Sequence, residues 1–203
     1  QQRQPLAAPG PYKVQLATRI EGVLKPVGES VAFKCAPIGE PTLPVADRAA
    51  TLEWERKTAK LQRAVLGAVS AAGEGQTRLN HIKKAIDDTP GADPALMDSA
   101  RAIERRLAAI TTALNGDAAI RNRNEPTPPS IVEDMSTAVG GTWSQTYGPT
   151  ATHKRCYENA ATRFQPVLAD LHALIETDLA RLEHAADAAG APGAPGGVPG
   201  WKP

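Results

Sequence analysis

The sequence predicts a mainly α-helical fold, an antiparallel bundle of three long helices plus a short helix, preceded by an N-terminal β-hairpin. Three observations lead there. Apolar residues recur in alternating steps of four and three along three separate segments, the signature of one buried helical face. Hydrophobic residues make up 41% of the chain but aromatics only 4%, so the core must be aliphatic and alanine-rich, which suits close-packed helices better than a β-sandwich. Period-two alternation, the mark of a strand, appears in two short segments ahead of residue 40.

The hairpin comes first. Residues 1–10 are polar and bear proline and glycine, an irregular arm. In PYKVQLATRI, Tyr12, Val14 and Leu16 share one face, with Lys13 and Gln15 on the other. A turn is expected at Glu21-Gly22. SVAFKCAPI alternates again, with Val31, Phe33 and Cys35 on one face. Two strands alone are marginally stable in water. The hairpin must therefore either lean on the helices or complete a sheet whose other strands lie elsewhere. These first 40 residues form one unit, residues 41–189 the helical bundle, and residues 190–203, GAPGAPGGVPGWKP, an extended tail whose Trp201 either docks or stays free.

PIGEPTLPVA, residues 37–46, is a linker. Asp47 is placed to cap a helix running to about Asp88, about 60 Å long at 1.5 Å per residue. Its stripe is Leu61, Val65, Ala68, Ala72, Gly75, Leu79, Ile82 and Ile86. Gly73 and Gly75 mark either a close helix crossing or a kink. Asp93 and Pro94 start the second helix, because proline is tolerated at the first helical position. Leu96, Ala100, Ile103, Leu107, Ile110 and Leu114 form its stripe, and Asn115-Gly116 stops it. Residues 117–129 read as a polar, proline-rich connection. Ser130 and Glu133 have capping-box spacing and open a short helix ending at Gly140-Gly141. The last long helix spans about 152–189 on the stripe Tyr157, Ala161, Phe164, Leu168, Leu171, Ile175, Asp178 and Leu182, widened by Leu174 and Leu179. Pro166 lies inside it, where a kink is expected.

Composition narrows function by exclusion. Twenty-three basic and 22 acidic residues give a net charge of +1, too small a field to imply nucleic acid or an anionic membrane. No apolar run approaches the roughly 18–20 residues of a membrane span. No basic segment followed by an apolar one opens the chain, so no signal peptide is visible. His81, His153, His172 and His184 have no partners at metal-ligand spacing, and no phosphate loop or nucleophile setting occurs. Asp170, Glu176 and Asp178 read as members of a solvated helix face, as does the run Arg101, Arg105, Arg106 around Glu104. The expectation is therefore no enzyme, no catalytic residue, no metal and no cofactor. STAVGGTW matches the sialidase-type Asp-box at Ser136, Gly140, Thr142 and Trp143. Ala138 replaces the aspartate on which that motif depends, so the match reads as chance. Cys35 and Cys156 are either a disulfide stapling the hairpin to the bundle or two free thiols.

Several phrases in order, PGPYKVQL, VGESVAFKCAPI, TLPVADRAATLEWERKTAKLQRAVLGAV, RNEPTPPSI and GGTWSQTYGPTATHKRCYENAATRFQPVLADL, resemble the C-terminal region of large exported bacterial sortilin-like proteins. These carry sialidase-type (BNR) β-propeller repeats and are often labelled glycosyl hydrolases. The resemblance runs from about Pro9 to Pro203 and contains no catalytic motif. It implies that the hairpin ends an Ig-like β-module, that the chain is periplasmic or extracellular, and that the disulfide gains weight. A hydrolase activity would reside in a propeller, which this chain lacks. The reading it favours is a non-catalytic structural and protein-interaction module. Such a chain would be a docking or stabilising subunit of a larger periplasmic or envelope-associated assembly, with protein partners. The alternative is an accessory C-terminal domain of a sialidase-like propeller hydrolase.

Overall fold

The computed structural model describes residues 7–38, 47–143 and 147–191. Most of the expected linker, three residues of the loop after Trp143 and nearly all of the expected tail, Trp201 included, lie outside them. The predicted fold class holds: a helical bundle with an N-terminal antiparallel hairpin.

Strands β1 (Gly10–Ile20) and β2 (Val23–Cys35) pair with each other. The turn between them is Glu21 and Gly22, at φ 49° and 83°. Two successive positive values make a type I′ turn, whose twist matches that of the strands. The second strand begins at Val23, seven residues earlier than its alternation suggested, because Gly28 (φ 72°) sits in a bulge that interrupts the pattern. Val14 pairs with Val31 and Leu16 with Val27, so Gln15 faces three residues of β2. The insertion is an even number of residues, so the faces do not exchange. Tyr12, Val14, Leu16 and Ile20 stay on one face with Val23, Val27, Val31 and Phe33.

Helix α1 (Arg48–Asp87) has the predicted length and cap, the Asp47 carboxylate accepting from Ala49 N and Ala50 N at 2.8 and 3.1 Å. Its stripe is buried from Val65 to Ile86, with Leu61 packed at the margin. Of the two glycines, Gly75 marks a crossing. A methyl group there would lie 3.7 Å from Ile175 and 3.9 Å from Leu107, where three helices meet. Gly73 faces solvent with open space around it. Gly73→Ala is therefore expected to stabilise the fold by about 0.5–1 kcal/mol, read as a rise in denaturation midpoint at unchanged slope.

Helix α2 (Pro94–Asn115) follows a short turn and buries all of its stripe except the half-exposed Leu96. The stretch expected to be a plain connection contains one short helix, α3 (Ala118–Asn122), capped by Asp117. The signal was an aspartate at the cap position, hidden by the prolines that follow. Helix α4 (Ile131–Gly140) carries the predicted capping box. The Glu133 carboxylate accepts from Ser130 N at 2.7 Å and Ser130 Oγ from Glu133 N at 3.2 Å. The first of these bonds holds the Glu133 carboxyl below the usual carboxylate range.

The last long helix is a composite. Helix α5 (Ala151–Ala173) continues through Pro166, and the departure from α-helical hydrogen bonding falls later, in a π-helical segment, Leu174–Leu179. Helix α6 (Ala180–Ala188) completes the rod. The reason lies in the spacing. Leu174 and Leu179 are both fully buried and five residues apart, a step that an α-helix turns away from the core and a π turn, with its i→i+5 bonds, brings back. The stripe accordingly shifts. Asp178, expected on it, lies at the surface, where it and Asp170 both pair with Arg106 on α2. Arg78 to Glu183 (3.1 and 2.7 Å) and Lys83 to Glu104 (2.9 and 2.8 Å) tie α1 to α6 and α2. The charges read as solvated faces are thus partly cross-helix pairs.

Candidate interaction surface

The hairpin is the least covered part of the described chain. Every substantial contact of β1 and β2 is with the other strand. Val14, Leu16, Ile20, Val23, Val31 and Phe33 each keep half or more of their surface in solvent, from 51% at Phe33 to 72% at Leu16. Tyr12 and Phe33 stack at 5.8 Å, and the Tyr12 hydroxyl donates to Ala8 O at 2.6 Å. At about 3.3 Å per residue and two strand widths, this face measures about 350 Å², apolar except for the Thr18–Lys25 pair between Leu16–Val27 and Ile20–Val23. That is the size of the largest patch on an ordinary monomer, and such patches are often functional. The opposite face carries Lys13, Arg19 and Lys34. The acidic residues of the hairpin, Glu21 and Glu29, sit in the turn and the bulge. None of the three cations has an ion pair among the described residues.

A second cluster lies at one end of the bundle, and it was not visible in the sequence. The segments TLEWERKT, GGTW and YGPTATHKRCYENA meet there. Trp143 is buried, and its Nε1 donates to Thr58 Oγ1 at 3.3 Å, which itself donates to Glu55 O at 3.0 Å. Trp54 and Tyr157 meet edge-on at 5.3 Å, and Lys57 Nζ lies 4.5 Å from the Tyr157 ring centre. A methyl group on Gly148 would lie 3.6 Å from Thr51 Oγ1. Thr142 is fully buried, its hydroxyl bonded to Ala138 O and Val139 O. GGTW is therefore a helix terminus, not the hairpin turn of an Asp-box. One signal pointed to this cluster: continuing the α1 stripe back from Val65 in steps of three and four reaches Thr58 and then Trp54 and Glu55.

Glu55 is 3% exposed, and its carboxylate has no hydrogen bond or ion pair among the described residues. Burial pushes its pKa up. A raised carboxyl pKa means that the folded state holds the proton more tightly than the unfolded chain. The stabilisation from neutral Glu55 is then fully present below the ordinary carboxylate pKa, about 4.3, and is lost as pH rises through the higher folded value. Glu55→Gln, a mimic of the neutral form, is expected to be more stable than the parent at pH 7 by about 1–2 kcal/mol. The two should converge near pH 4. Thermal unfolding of both at several pH values checks this, and a gap independent of pH would refute it.

The remaining residues singled out in the sequence take structural positions. Cys35 lies at the open end of the hairpin opposite Gly10, Cys156 lies on α5, and both are free thiols in this structure. Burial, then the Asp134 charge, pushes the Cys156 thiol up, away from the thiolate that nucleophilic catalysis needs. His153 Nδ1 accepts from Thr150 N in the cap of α5, and His172 pairs with Glu176. Among the described residues no group of His, Cys, Asp and Glu has metal-binding geometry, and no helix is long and apolar enough to cross a membrane. Two shallow grooves of about 320 and 310 Å³ run between α1 and the α5–π segment and between α2 and α6. The first is lined mainly by alanine and leucine, and in the second Arg106 and Asp178 are paired with each other. Neither offers the convergent polar groups of a small-molecule site.

Comparison with protein-family models, with curated proteins and with solved structures found no match to this chain.

Proposed function

We propose that this chain is a non-catalytic structural and protein-interaction module, a docking or stabilising subunit of a larger assembly. The observation that supports it is the uncovered apolar face of the hairpin. Two isolated strands are marginal in water, and eight apolar side chains held on one exposed face gain most when a partner covers them. The resemblance to exported sortilin-like proteins supports reading that assembly as periplasmic or envelope-associated. Protein, rather than nucleic acid, is the partner class that an apolar face on a chain of net charge +1 suits.

A second reading draws on the same face. In an accessory C-terminal domain of a sialidase-like propeller hydrolase, further strands of the same polypeptide would cover the hairpin. Cross-linking from a photoreactive residue at Leu16, under native conditions in the source cell, tests both. Cross-links to another polypeptide are the expected result. Cross-links confined to a longer form of this same polypeptide support the second reading. Unlinked, monomeric protein refutes the first.

A further inference from the structure

The two edges of the hairpin are not equivalent. In a two-residue type I′ hairpin the residues flanking the turn, Ile20 and Val23, form a hydrogen-bonded pair, and the pairs then alternate. Arg19 with Leu24 and Ala17 with Pro26 are therefore non-hydrogen-bonded pairs, whose backbone groups point away from the partner strand. On β2 this puts Pro26, which has no N–H, on the outer edge. The bulge with Gly28 at φ 72° follows two residues later. Proline and bulges are devices by which a sheet edge is closed to further strands. The outer edge of β1 has a proline only at Pro11, its second residue. From Tyr12 to Ile20 it contains no proline and no positive φ, and it directs the N–H and C=O groups of Lys13, Gln15, Ala17 and Arg19 outward.

We propose that the outer edge of β1 accepts one extended strand from a partner protein, and that this strand carries acidic residues opposite Lys13 and Arg19 with apolar residues between them. The inference rests on reading the hairpin as an interaction surface. Charge selects the occupant. Lys13 and Arg19 lie on one face of β1, six residues apart, and β1 contains no acidic residue. Opposite charges directly across a strand pair stabilise it, and like charges destabilise it. A second copy of the chain fits poorly. Pairing β1 antiparallel with itself so that Tyr12 meets Ile20 sets Lys13 against Arg19 twice. Packing two apolar hairpin faces together instead encloses about 700 Å² in total, short of the roughly 1,200 Å² of a stable interface. A strand on the β1 edge widens the apolar face by half and completes the ladder at the same time, the mode by which many domains bind extended peptides.

The test is a labelled peptide, Glu-Val-Thr-Val-Thr-Val-Glu, titrated against the full chain by fluorescence anisotropy at low and high salt. Controls are the same peptide with lysine at both ends and a peptide copying Tyr12–Ile20. The acidic peptide is expected to bind at least about tenfold more tightly than either control, and less tightly at high salt. Hydrogen exchange should slow at the Ala17 and Arg19 amides of the complex and not at Leu24. Ala17→Pro should remove binding while the helical melting transition stays in place, and Leu24→Pro, on the closed edge, should leave binding intact. Equal binding of the three peptides, binding by none, protection on β2, or self-association through β1 overturns the proposal. Cross-links from Leu16 to a partner, with the β1 amides still exchanging freely in that complex, would overturn the edge assignment and leave the interaction reading standing. No cross-link from the hairpin to any polypeptide would remove both.

Discussion

Trp143→Ala is expected to cost about 3–5 kcal/mol, the range for removing a large buried aromatic, and to lower the melting temperature by on the order of 10 °C. Trp143 is 7% exposed and belongs to no helix. It sits just past α4, where the chain turns back toward α5, and its ring fills the end of the bundle. Its single polar atom is bonded to Thr58 of α1. The side chain therefore joins the end of α4 to α1, two segments 85 residues apart in sequence. Trp143→Phe separates the contributions. It keeps most of the apolar burial and loses the hydrogen bond, at a cost of about 1 kcal/mol. Chemical denaturation followed by circular dichroism gives both values. A loss under about 1 kcal/mol for the alanine variant would show that this end of the bundle is not a packed core.

The second large effect is expected at Arg163. Its Nη1 donates to Pro129 O at 2.6 Å and lies 3.4 Å from Asp134 Oδ2. Asp134 is 5% exposed and stands in the first turn of α4 beside Cys156. The pair thus fastens the start of α4 to the middle of α5. Arg163→Met keeps the length of the side chain and removes the charge, leaving a buried carboxylate without its cation. Breaking a fully buried pair in this way costs about 3–5 kcal/mol. Arg163 is 43% exposed on its side chain, so solvent screens part of the interaction and about 2–3 kcal/mol is expected. Adding Asp134→Asn should restore part of the loss, because the orphaned charge is what destabilises. If the double variant is no more stable than Arg163→Met alone, the effect lies in the Pro129 contact and not in the ion pair.

Those two positions show where sequence reasoning reached its limit. Neither belongs to a periodic stripe. In the sequence Trp143 stands out only as part of a degenerate motif, and no spacing singles out Arg163. Helix starts and stops fared better, because a cap is a local device. Asp47, Asp93, Ser130 with Glu133, and Gly116 each act on backbone within a few residues of themselves, so their effect is written in adjacent letters. The apolar stripes of α1 and α2 were legible for the same reason. Burial follows a fixed angular step along one helix.

The last helix departs from that rule. A stripe counted in steps of four and three runs through Ile175 and Asp178 with Leu174 and Leu179 at its margins, and the core takes the two marginal leucines as its centre. The helix inserts a π turn to present both, and Asp178 moves out to Arg106. That choice depends on what α1 and α2 offer opposite, which no single segment encodes. The hairpin illustrates the other side of the division. Its faces and its turn are legible in the sequence alone, because strand geometry fixes the side-chain period at two, whereas the start of β2 at Val23 is hidden by the bulge at Gly28. That nothing among the described residues covers its apolar face, while Pro26 and Gly28 fall on one edge, was decided by the tertiary structure. Whether a surface is buried depends on what the rest of the chain brings to it, and here the helices find their partners among themselves.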